Sequence, residues 1–185
     1  MFKTKLNYLP ISFVFLTFSL IQLAQSGVVK SPVLSEDTKV DFEREARLET
    51  EEFLNTIFTA QIEFFNKLKK SLEPDTKRYK DIELFVERLE MAKEEKELEK
   101  KDIMYWETFQ QFNKSPLLLN DAAETGMTDE AYQKALTDNG FKELLKNFFA
   151  DVAVYFWKMA KASGKVVETT MDEYLEQMQS TKSLF

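Results

Sequence analysis

The side chains in this 185-residue sequence that could do chemistry are its carboxylates, and their setting argues against most reactions. Aspartate and glutamate number 32, while histidine and cysteine are absent. No Ser-His-Asp or Cys-His nucleophile can therefore be assembled, and the commonest general base near neutral pH is missing. The same absence removes the usual zinc ligands and the Glu-x-x-His pairs of helical di-iron sites. The four glycines (Gly27, Gly126, Gly140 and Gly164) are too dispersed to form a phosphate-cradling loop. Asp138-Asn139-Gly140 opens like a calcium loop, but Lys146 and Asn147 fall where further oxygen ligands are needed, so it reads as a turn. Adjacent carboxylates such as Glu51-Glu52 and Glu94-Glu95 point about 100° apart on a helix and are not expected to share a site. The expectation is a protein that is not an enzyme and holds no metal or cofactor.

Residues suited to binding remain. Gln61 lies inside an apolar helical stripe, where an amide must find a hydrogen-bond partner or line a pocket. Tyr105, Trp106 and Phe109 cluster on one later segment, and Trp157 stands in the most apolar one. These five are the candidate partner or ligand surface. Asn113-Lys114-Ser115 fits the N-glycosylation pattern, with Pro116 directly behind it as a hindrance.

The elements that must position these residues follow from hydrophobic spacing. From Glu36 to Leu72, the residues Phe53, Leu54, Ile57, Phe58, Phe64, Phe65, Leu68 and Leu72 fall on one side of a helix. Its charged start, Glu43 to Glu52, carries only Ala46 and Leu48 and is expected to run beyond the core. Pro74 breaks the pattern, and Asp75 or Thr76 caps a second helix with a stripe of Tyr79, Ile82, Phe85, Val86, Leu89 and Ala92. Lys93 to Asp102 is almost wholly charged and reads as a solvated helical face, with Glu97 and Lys101 as an i,i+4 pair. Beyond it, Leu98, Tyr105, Trp106, Phe109 and Phe112 form a new stripe, about 160–200° around the helix from the previous one. Either the helix breaks between Lys93 and Asp102, or it stays continuous and packs different neighbours at its two ends. Nothing in the run is a helix breaker, so continuity is expected.

Ser115 as cap and Pro116 at the first helical position predict a short helix over Leu117–Glu124, closed at Gly126. A second short helix is predicted over Asp129–Asp138 and is stopped by Asn139-Gly140. Phe141 to Gln179 reads as the last helix, apolar almost all round between Val152 and Ala160, and is expected to be the centre of the fold. The fold class is all-α: an antiparallel bundle of three to four long amphipathic helices, with two short helices in the 116–138 connection. Residues 36–180 form the single bundle domain, with residues 27–35 and 181–185 as tails.

Residues 1–26 stand apart. Lys3 and Lys5 precede an apolar run from Ile11 to Leu23, and Ala24-Gln25-Ser26 places small residues at the −3 and −1 positions of a cleavage site. The run would be roughly 20 Å long as a helix, short of the roughly 30 Å hydrocarbon core, so a cleaved signal peptide and secretion are expected and no stable membrane span. Cleavage would leave 23 basic residues against 32 acidic ones, a net charge of −9. Such a chain is repelled by phosphate backbones, which argues against a nucleic-acid partner. The function expected is an extracellular helical binding protein with a protein partner. The alternative is a carrier of lipid or another small apolar ligand.

Overall fold

Three helices in this chain start at short polar side chains that accept from backbone N–H groups. In the computed structural model, which describes residues 36–112 and 115–163, Thr76 accepts from the Tyr79 N–H, Asp121 from that of Ala123 and Thr128 from that of Ala131. The described residues form six helices packed against one another, and none lies in a strand. They are α1 (Glu36–Lys69), α2 (Lys77–Glu94), α3 (Leu98–Gln111), α4 (Ala122–Thr125), α5 (Asp129–Asp138) and α6 (Phe141–Ser163). No helix among the described residues is long and apolar enough to cross a membrane. The signal-peptide reading of residues 1–26, the tails, Asn113 and the stretch from Gly164 to Gln179 lie outside the described residues.

α1 packs on α2 and on α6, α2 packs on α3 and α4, and α5 packs on α6. The core is a chain of ring contacts. Phe65 meets Phe85 edge-on at 4.9 Å, Phe85 meets Phe112 at 5.4 Å, Phe58 meets Tyr105 at 5.0 Å, and Phe53 stacks on Tyr155 at 4.6 Å. Edge-to-face and offset pairs of this kind add to the burial of large apolar area and fix how the helices approach. With no cysteine to cross-link it, the fold rests on this packing.

Four expectations need correction. The helix does not continue through Lys93–Asp102: α2 ends at Glu94, residues 95–97 are non-helical, and α3 starts at Leu98. Two stripes facing nearly opposite ways can reach the same core only if the chain turns back between them. Nor is that run wholly solvated. Lys101 is buried, its ammonium donating to Asn55 Oδ1 at 2.6 Å and to the Lys93 carbonyl at 3.0 Å. Its expected partner Glu97 pairs instead with Lys100. The short helix expected over Leu117–Glu124 is only Ala122–Thr125, capped by Asp121, because the Pro116 carbonyl closes a turn with the Leu119 N–H. Finally, the charged start of α1 does not run past the core. Ala46 and Thr50 are buried, and the Thr50 hydroxyl sits 3.0 Å from that of Tyr155 on α6.

α6 is also less central than its composition suggests. Val152, Tyr155, Phe156 and Met159 face inward, but Val154 and Trp157 are 52% and 56% exposed. Phe156→Ala should destabilise the protein by about 3–5 kcal/mol, as for a core phenylalanine. Urea denaturation checks this, and an unchanged midpoint would place that ring outside the core.

Candidate functional site

A shallow groove of about 690 Å³ runs along the outer side of α1 where α6 flanks it. Its walls include Leu48, Glu51, Glu52 and Glu63 from α1, with Asn147 and Asp151 from α6. The α1 contribution follows from spacing. Glu52, Thr56, Thr59 and Glu63 recur every three or four residues on the face turned away from Leu54, Phe58 and Phe65. Glu51 and Glu52, expected to serve no common site because they are adjacent, both line this groove. A smaller recess continues it, sharing Glu52, Thr56 and Asp151 and adding Glu49, Val154 and Lys158.

The groove is acidic and unevenly neutralised. Lys158 holds Glu49 at 2.6 Å and Glu52 at 3.1 Å, closing one end. Among the described residues no lysine or arginine pairs with Glu51, Glu63 or Asp151. Burial pushes the Asp151 carboxyl above its ordinary value, as expected of an acid drawn out of water without a cation beside it. Among the described residues no group of three or more acids is close enough to hold a metal ion. The arrangement suits the binding of positive charge spread along a surface.

The sequence candidates are distributed differently. Gln61 and Tyr105 come together in the core, the amide Nε2 donating to the phenol oxygen at 3.3 Å. Tyr105, a candidate for the partner or ligand surface, is instead buried, because the break before α3 turns its row of residues inward. Trp106 and Phe109 stack at 5.9 Å and are half-buried. Trp157 lies on another helix, α6, three residues from Val154 at the groove's edge, with the Lys161 ammonium 5.4 Å from its ring centre.

Sequence reasoning passed over Arg78. Its guanidinium is 1% exposed, and Nη1 lies within donating distance of the carbonyls of Pro116, Leu117 and Leu119 and of the Tyr132 hydroxyl. Nη2 donates to Glu124 Oε2 at 2.7 Å, and Ser115 and Lys77 also donate to that carboxylate. Tyr132 in turn donates to the Leu117 carbonyl. The cluster gathers the chain between α3 and α5 onto the start of α2. An arginine at the edge of an apolar stripe beside a Pro-containing connection was the available signal.

The sequence matches no known protein family, no characterised protein and no solved structure.

Arg78 chiefly, then Ser115 and Lys77, hold the Glu124 carboxyl down at about 2. A depressed folded-state value contributes stability above the ordinary value of 4.5, and that contribution is lost as pH falls from 4.5 towards 2. Glu124→Gln should therefore flatten the acid-unfolding profile across this window. Arg78→Met should destabilise by about 1–3 kcal/mol at neutral pH, since it leaves the Leu119 carbonyl without its donor and takes one of the cations from Glu124. Chemical denaturation at stepped pH reads both effects. An Arg78→Met variant as stable as the parent would show the cluster to be incidental.

Proposed function

We propose that this chain is a secreted, non-enzymatic helical binding protein that engages a basic segment of a protein partner along the α1–α6 groove. The proposal includes the arrangement of the scaffold, in which α1, α2, α3 and α6 succeed one another antiparallel as a bundle. Contacts of Phe65 with Phe85, Phe85 with Phe112 and Phe64 with Phe141 support that succession. Secretion rests on the pattern of residues 1–26. The non-enzymatic reading rests on a sequence without histidine or cysteine.

The observation that carries the reading is the composition of the groove. Its carboxylates Glu51, Glu63 and Asp151 have no ion-pair partner among the described residues, and the apolar side chains Leu48 and Val154 stand exposed beside them. Acidic walls with an apolar edge complement a basic amphipathic segment. Electrostatic complementarity of this kind steers encounter and selects partners more than it adds raw affinity. From Leu48 to Glu63 the groove offers about 22 Å of helix, matching a segment of roughly 15 residues. The apolar-carrier reading has less support, since the groove is open and lined by both charged and polar side chains.

A fluorescent Lys/Leu amphipathic peptide of roughly 15 residues is the probe. It should bind at low ionic strength, weaken steeply as salt rises from about 0.05 to 0.5 M, and outcompete a Glu/Leu peptide of equal length. Changing Glu63→Gln and Asp151→Asn together should weaken binding about tenfold, equivalent to about 1.4 kcal/mol. Equal binding of the two peptides, or of the basic peptide to parent and variant, would overturn the proposal. Uptake of a fluorescent fatty acid without peptide binding would favour the carrier.

A further inference from the structure

The three residues that separate α2 from α3 are the least expected feature of the fold. Glu95, Lys96 and Glu97 are good helix formers, and neither glycine nor proline occurs between Lys77 and Gln111. The break is held by side chains that occupy the backbone groups a continuous helix would use. Glu95 Oε1 accepts from the N–H groups of Lys96 and Glu97 at 2.7 and 2.9 Å. The Lys101 ammonium takes the Lys93 carbonyl, which in an unbroken helix would accept from the Glu97 N–H. Glu99 reaches across to Arg47 at 2.9 Å and helps hold α3 against α1.

We propose that residues 95–97 are a hinge through which the chain exchanges helices with a second copy of itself, α2 and α3 becoming one continuous helix in the resulting dimer. Straightening turns the inward row of α3 (Leu98, Tyr105 and Phe112) nearly half a circle away from the stripe of α2. That row can then no longer reach α1 of its own chain. The surface shaped to receive it is the one it leaves. Phe58 and Gln61 meet Tyr105 there, and Asn55 meets Lys101. A second copy presents the same surface, so the same contacts re-form between chains. Closed and exchanged forms then differ mainly at the hinge, where side-chain bonds compete with helical ones. A short hinge between otherwise conserved contacts is the usual setting for such exchange.

The test uses the absence of cysteine, which makes labelling site-specific. Glu87→Cys and Glu107→Cys place spin labels at exposed positions on α2 and α3. In a continuous helix they lie about 30 Å apart along the axis, and in the hairpin they lie closer. The labelled protein is refolded with excess unlabelled protein at low and high concentration. Light scattering after size exclusion reports mass, and dipolar spectroscopy reports the distance within one chain.

The expected result is a dimer that grows with refolding concentration and carries the about 30 Å distance. Glu95→Ala and Lys101→Met, each freeing a helical bond, should raise the dimer fraction about tenfold at fixed concentration. Lys96→Pro should abolish the dimer. The extended backbone of Glu95 (φ −63°, ψ 131°) already suits a following proline, which a continuous helix would not tolerate. The Glu95 side chain bonds only to the neighbouring N–H groups of Lys96 and Glu97, so its alanine variant decides the matter if Lys101→Met fails to fold. A dimer fraction unmoved by Glu95→Ala, or a dimer that keeps the short distance, overturns the proposal.

Discussion

A helix whose apolar stripe swings through nearly half a circle cannot bury both halves against one core while it stays straight. That constraint organises this protein. The stripe of α2 ends at Ala92 and that of α3 begins at Leu98, on opposite sides of what would be a single rod. Turning the chain at residues 95–97 brings both to the same core. Tyr105 can then meet Phe58 and Gln61, and Phe112 can meet Phe85. The turn requires a buried ammonium at Lys101, whose amine burial pushes below its ordinary value. Two oxygen acceptors compensate for its removal from water.

Once α3 lies back along α2, the chain must still return to α6 through a connection whose part before α5 holds only the four-residue α4. Arg78 solves this from within α2. A planar guanidinium with several donors can serve carbonyls that no helix satisfies, while one carboxylate, Glu124, balances its charge. Leaving a carbonyl buried without a donor is expensive, and Arg78 shares this work with Tyr132, which donates to the Leu117 carbonyl. The positive φ of Gly126, 69°, then ends α4 and redirects the chain toward Thr128 and α5.

Among the described residues, the same arrangement leaves one long face of α1 uncovered. α6 flanks that face with Asp151, and Lys158 closes its end, giving a strip of carboxylates beside exposed apolar side chains. The proposed binding role rests on this strip.

Much of this was legible in the amino-acid order. Spacing marked the rows Phe53–Leu72 and Tyr79–Ala92, and Thr76, Thr128 and Gly126 punctuated the helices, because caps and periodicity are local properties of the chain. The placement of Gln61 in an apolar row foretold a buried amide that needs a partner. Which partner it found was not legible, since Tyr105 lies 44 residues away and arrives only when α3 folds back. Local propensity pointed to a straight helix through Lys93–Asp102, and tertiary burial overruled it. Arg78, Lys101 and the groove of Glu63 and Asp151 were decided by the fold alone. A charged residue's role depends on what surrounds it in space, and the sequence records only what precedes and follows it.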